Sequence, residues 1–391
     1  MTALLMLFAV LGGFNVIVDP YGRFGILNIE GFNSLKFTFK KHGRIGKSFS
    51  LIQCDFNAVI LGSSRSETGL NPDHPAFSNH NAFNASLKAV SMYEINRMAL
   101  HALENQDIKL AVIGLDFISF NGNRRISDDF DESPLAEHQA FGSLLRYALS
   151  VSTLSESAVT VEWNRKGLIK ACEYKGYVDQ GRPRSLPRNA FNTMYKRFLT
   201  NDAIYGDYVV NDEYMELFEQ MLRTLAASDV EVYLYIQPTH ATNAELVESL
   251  GLTSELEDWK RNIIKTTERV NSELPESNRI RLWDFSGYNS ITTEAVPPES
   301  DGTYMRWYRD SSHFSNRAGG LVLDRIFGTR SDKDSLPADY GIAIDSTNIE
   351  SWLTQQRAAS QLYRKQRPAD IEHLKTNIRQ YKPQAGDNPV P

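Results

Sequence analysis

Cysteine is scarce in this chain: 391 residues contain two, Cys54 and Cys172. They lie far apart and neither sits in a Cys-x-x-Cys or Cys/His ligand pattern, which argues against a metal cluster and against a disulfide framework. Two unpaired buried thiols are the commoner arrangement for such a pair; a single disulfide in an oxidising compartment is the alternative. Long runs of one charge sign are also missing. With 42 basic and 48 acidic residues the formal charge is −6, spread over both signs, so nothing marks a nucleic-acid surface. No internal repeat or low-complexity array occurs.

Long apolar runs are absent too, with one exception. Thr2 to Val18 is uncharged and has Asn15 as its only strong polar group, at the short end of what spans a membrane. It lacks the basic start and small-residue cleavage site of a secretory signal, so a retained anchor is preferred to a cleaved signal, with a buried core helix as the third reading. Arg23 and Lys36 follow the run, so charge does not set its orientation. After "VDPYGRFG", whose Pro and Gly residues suit an irregular exit, residues 19–54 read as a linker.

What is present is a rhythm. Four β-branched-rich runs, at Ala58–Leu61, Lys109–Ile113, Val230–Ile236 and Ile280–Trp283, predict strands. Between and after them, helical spacing recurs at Ile95, Met98 and Ala102; at Phe218, Met221, Leu222 and Leu225; at Leu256, Trp259 and Ile263; and at Leu321, Val322 and Ile326. This alternation predicts an α/β domain over 55–330 with a parallel sheet and helices on both faces. Residues 121–210 break the rhythm and predict an inserted cap over the sheet's C-terminal edge. From 331 to 391 a helix from Asn348 to Gln366 and a disordered tail are expected.

In open α/β sheets ligands bind beyond the carboxyl ends of the strands. There the sequence places Gly62-Ser63-Ser64-Arg65, Gly114-Leu115-Asp116, Pro238-Thr239-His240 and Asp284-Phe285-Ser286-Gly287. A serine hydroxyl needs an imidazole base, and the base needs a carboxylate to fix its tautomer. "YRDSSHF", with Asp310 and His313 three apart, supplies both, although Asp310 can equally cap a helix starting near Ser315.

The post-strand Gly-x-Ser, the late Asp-x-x-His and the sheet between them, over roughly residues 55–328, resemble the SGNH or GDSL-like hydrolase superfamily. The "GSSR" form is similar to its membrane-anchored bacterial branch of polysaccharide O-acetylation proteins. The resemblance implies a flavodoxin-like sheet, Ser64 as nucleophile, His313 as base and Asp310 as its orienter. It matches "FNASLKAVS" to the second block through Asn84, with Ala89 where glycine is expected and its amide in the oxyanion hole. It sets Asp116 where an asparagine donor belongs, and an ionised aspartate cannot donate. Asp116 is then protonated, or replaced as donor by Asn121 or Asn123, or the site is weak; replacement is the preferred reading.

Arg65 either braces the nucleophile loop, the preferred reading, or binds a substrate carboxylate. His240 is read as satisfied by a backbone carbonyl rather than as a substrate contact. Tyr304, Trp307 and Tyr308 suit core packing or a sugar face. By the same resemblance, the expected activity is acyl transfer on O-acetyl groups of an extracytoplasmic polysaccharide, without metal or cofactor. Hydrolysis of such esters, or a non-catalytic polysaccharide-binding or assembly role, are the alternatives. The expected location is the inner membrane, facing the periplasm or cell exterior, with a membrane protein as acyl donor.

Overall fold

The four β-branched runs form strands because, past the exposed Glu231 and Arg281 that open two of them, each is buried on both faces, which rewards continuous apolar sequence over alternation. In the computed structural model six strands make one sheet: β1 Ala58–Leu61, β2 Ala82–Asn84, β3 Leu110–Leu115, β4 Glu231–Ile236, β5 Arg281–Asp284 and β6 Ile342–Ala343. Their order is β2-β1-β3-β4-β5-β6, parallel except for β6. The register sets Ala58 beside Leu110, Leu110 beside Glu231 and Tyr233 beside Arg281. The structure describes residues 2–36, 43–127, 129–131, 133–136, 141–167, 172–179, 181, 185–206, 208–329 and 336–382.

The helices are α1 Thr2–Val18, α2 Gly43–Gln53, α3 Ser64–Gly69, α4 Met92–Asn105, α5 Phe141–Ala148, α6 Val151–Arg165, α7 Pro187–Thr200, α8 Asp202–Tyr205, α9 Asp212–Ala227, α10 Ala241–Ser249, α11 Thr253–Asn271, α12 Asn316–Phe327, α13 Ile349–Gln366 and α14 Pro368–Tyr381. Val59, Leu61, Ala111 and Ile113 face a core filled from α4, α9 and α11 by Met98, Met221, Leu222 and Trp259. Ala58, Ile60, Leu110 and Val112 face the opposite core, closed by Leu321, Val322 and Ile326 of α12. Helices thus cover both faces, as the strand–helix alternation predicts. From β1 the chain steps outward to β2 and then back past β1 to β3, so the order reverses between β1 and β3. This reversal opens the crevice that such sheets use for ligands.

Several expectations are corrected. The 19–54 segment is not a simple linker: α2 within it is buried through Arg44, Ile45, Lys47 and Leu51. Its buried charges have distant partners, Glu94 for Arg44 and Glu67 for Lys47. The chain past Gln366 is not disordered where it is described, since α14 packs on α7 and α10; residues 383–391 lie outside the described residues. Cys54 and Cys172 are not free thiols but a disulfide.

The insertion at 121–210 closes at its neck, where Asn121 and Val210 form an antiparallel bridge, but it is not one cap. Its helices α5 and α6 pack on α1. Residues 172–178 instead cross the sheet edge, with Lys175 O accepting from Asn84 N (2.8 Å) and Val178 N donating to Glu67 O (3.1 Å). Among the described residues no helix is long and apolar enough to cross a membrane, so the expected spanning anchor is not found there. Helix α1 is held to the domain by Asn15, whose Nδ2 donates to Ala148 O at 2.8 Å.

Candidate active site

At the carboxyl end of β1 the chain must turn sharply into α3. Gly62 takes φ 146° there, and a Cβ on it would stand 2.4 Å from Ser66 Oγ. Ser63 caps α3, its Oγ accepting from Arg65 N at 3.2 Å. From Leu61 to Leu70 every residue is buried except Ser64. A buried strand therefore ends by presenting one hydroxyl.

Two close backbone approaches bring the second half of the site to it. A Cβ at Gly69 would meet the Phe314 ring at 2.0 Å, and one at Gly319 would meet Gly69 O at 1.8 Å. Only glycine at both positions lets α3 seat directly on α12. The result is that Ser64 Oγ lies 2.9 Å from His313 Nε2, and His313 Nδ1 lies 2.9 Å from Asp310 Oδ2. Asp310 Oδ1 also accepts from Ser312 N (2.7 Å) and His313 N (2.8 Å). Burial pushes the Asp310 carboxyl up, but the His313 ring and these two N–H groups outweigh it and leave its pKa below the ordinary value. The carboxylate is thus ionised while it holds the imidazole. Both side chains keep 16% exposure, enough to meet a substrate from solvent.

The remaining sequence candidates divide. Ala89 adopts φ 52°, the left-handed conformation that glycine takes without cost. Its N–H, like that of Ser64, has no acceptor among the described residues. Asn84 is a scaffold residue and is not free to meet substrate, because its Nδ2 donates to Ser66 O (2.9 Å) and Leu70 O (2.8 Å). Asn121 is likewise committed, to Ile204 O at 3.1 Å, which corrects the expectation that it replaces Asp116 as donor; Asn123 is exposed.

Asp116 and Arg65 find each other. Arg65 Nη1 binds Asp116 Oδ1 in a buried ion pair, and Arg65 Nε donates to Ser312 Oγ at 3.0 Å. This is the bracing reading of Arg65: one guanidinium ties the Ser64 turn to β3 and to the histidine loop. Burial lowers the guanidinium's pKa, and Asp116, Tyr205 and Asp310 together more than reverse this. His240 is buried, with Nε2 donating to Glu294 O (2.7 Å) and Nδ1 accepting from Thr242 N (3.2 Å). Burial pushes its pKa down to about 4. It is the satisfied histidine, not a substrate contact. Tyr308 is core, edge-on to His240 at 5.2 Å, whereas Trp307 is half-buried and carries Arg306 over its ring at 4.4 Å.

Three residues of the site were missed. Gln237, directly after β4, donates to Asp116 Oδ2 (2.8 Å) and accepts from Ser66 Oγ (3.0 Å). Its post-strand position is the signal that could have found it. Ser312 is visible only once Arg65 is placed. Lys47 of α2 donates to Ser86 O (2.5 Å) and pairs with Glu67 of α3 (3.0 Å), buttressing α3 and the Ala89 loop together.

A cavity of about 400 Å³ lies beyond the ends of β3, β4 and β5, walled by Leu115, Phe117, Tyr205 and Trp259, and it touches Arg65 and Asp116 but not the triad. Ser64 does not line it, but its neighbour Arg65 does. No cluster of His, Cys, Asp or Glu among the described residues is arranged to hold a metal ion. Fold and site together define an α/β protein with a Ser–His–Asp constellation at its sheet's switch point. The chain matches no family model and no curated protein.

Proposed function

We propose that the protein is a serine-dependent acyl-transfer enzyme acting on O-acyl groups, acetyl above all, of an extracytoplasmic polysaccharide. The observation that carries this reading is the unbroken relay from Ser64 Oγ through His313 to Asp310. Ser64 Oγ attacks the acyl carbonyl while its proton passes to His313 Nε2, and Asp310 stabilises the imidazolium. The amides of Ser64 and Ala89 receive the oxyanion. His313 returns the proton to the leaving oxygen, and an acceptor hydroxyl, activated by the same imidazole, then releases the acyl group from Ser64.

The disulfide supports a site of action outside the reducing cytosol, as does the apolar α1, which fits a protein held at the inner membrane and supplied by a membrane acyl donor. The SGNH-like class rests on the same triad and on Gly62-Ser63-Ser64. Water as acceptor makes the protein an esterase, and the half-open triad favours that outcome when no glycan is bound.

The test is to incubate the chain with an activated acetyl ester, with and without deacetylated polysaccharide. Acetyl appearing on the polysaccharide, and not with Ser64→Ala, is expected. Acetyl recovered only as free acetate contradicts transfer, and equal turnover by wild type and Ser64→Ala contradicts the serine mechanism altogether.

A further inference from the structure

Apart from Ile52, Ile126, Val209 and Leu362, every exposed large hydrophobic side chain among the described residues lies on α1, on 26–29 or at the α5–α6 corner. Such concentration on one region is not the scattered exposure of an ordinary surface. We infer that α1 and the α5–α6 corner form one composite surface that enters a lipid bilayer. The inference rests on the membrane location proposed above but not on the acyl chemistry.

The geometry joins the two elements. Gly12 is buried, and a Cβ on it would stand 3.1 Å from Leu149 Cδ2. Asn15, the one strongly polar side chain of α1, is fully used: it donates to Ala148 O (2.8 Å) and Ser150 O (3.1 Å) and accepts from Ser157 Oγ (3.0 Å). The corner is thus clamped beside α1 where that helix leaves the domain. Beyond the clamp Met6, Phe8, Ala9 and Val10 are all exposed, and beside it stand Leu145 (50% exposed), Leu149 (37%) and Val151 (72%).

Charge selects the occupant. Helix α1 has no acidic residue in its first turn and no basic residue in its last, and Thr2 to Val18 contains no charge at all. A protein partner favours an apolar centre ringed by polar groups, whereas this helix is apolar all round. Arg23, the first basic residue after the apolar run, lies over the buried Tyr147 ring at 5.2 Å.

The disulfide leaves no free cysteine, so the full chain accepts a single label. Leu145→Cys, Val151→Cys and, as control, Val209→Cys would each carry an environment-sensitive fluorophore and be mixed with vesicles of phosphatidylethanolamine and phosphatidylglycerol. The chain is expected to float with the vesicles. Labels at 145 and 151 should shift to shorter wavelength and be quenched by nitroxide-bearing lipid, and the label at 209 should not. Val151→Asp should weaken vesicle partitioning about tenfold or more. Failure to float, or flotation only with vesicles that carry membrane proteins, overturns the inference. So does a corner label that stays as water-exposed as the one at 209. Ester turnover in the same samples reports separately on the triad.

Discussion

Removing Asp116 is the perturbation that most sharply separates bracing from decoration. Asp116 and Arg65 are 3% and 4% exposed, and the pair is held further by Gln237 and Ser312. Asp116→Ala leaves a buried guanidinium without its counter-charge, its Nη2 already lacking an acceptor. Breaking a buried pair in this way costs about 3–5 kcal/mol, and Arg65→Met alone should cost a similar amount. If the ion pair is the cause, the double variant does not lose the sum. It should recover to within about 3 kcal/mol of wild type, because apolar replacement of a whole buried pair is often neutral. Urea denaturation of the four proteins measures this coupling directly.

Activity should not recover with stability. Arg65 Nε also positions Ser312, next to His313, and losing that tie should depress turnover of an activated ester by roughly 10²-fold in both Arg65→Met variants. Additive stability losses, a single-variant cost below about 1 kcal/mol, or full activity in the double variant would each refute the reasoning.

Two further outcomes follow from the same structure. His240 has its pKa pushed down from 6.5 to about 4 by burial. Above pH 6.5 it is neutral whether folded or unfolded; between 6.5 and 4 only the unfolded chain takes up the proton, so stability falls with pH by up to about 3 kcal/mol. His240→Gln should flatten that slope in denaturation curves measured between pH 7 and pH 4, and an unchanged slope would contradict the assignment. Gly319→Ala places a methyl against Gly69 O and should push α12 off α3. A loss of about 1–3 kcal/mol with a marked fall in turnover is expected, although no triad residue has changed, and a fully active Gly319→Ala protein would show that this contact does not align the triad.

The parallel strands β1, β3, β4 and β5 were legible because each carries an apolar run buried on two faces, which in β4 and β5 follows an exposed Glu231 or Arg281. The triad was legible because Ser64 and the Asp310–His313 pair fall where a sheet of this kind presents its ligand edge. β2 and β6 escaped for want of length: three and two residues carry no periodicity. Helix α2 escaped for a different reason, since "GRIGKSFSLIQ" hides its charges by pairing Arg44 and Lys47 with glutamates far along the chain. Likewise Asp116 looks like a defect until Arg65 is seen beside it, and no local pattern announces a partner 51 residues away. The disulfide closes 118 residues with no spacing motif to betray it.

The most direct test of the central claim is covalent. A fluorophosphonate probe, followed by peptide mass spectrometry of the folded chain, should place the label on Ser64. Labelling should vanish in Ser64→Ala and drop sharply in His313→Ala. A folded wild-type chain that takes no label, or takes it equally in the two variants, would contradict the assignment of Ser64 as nucleophile.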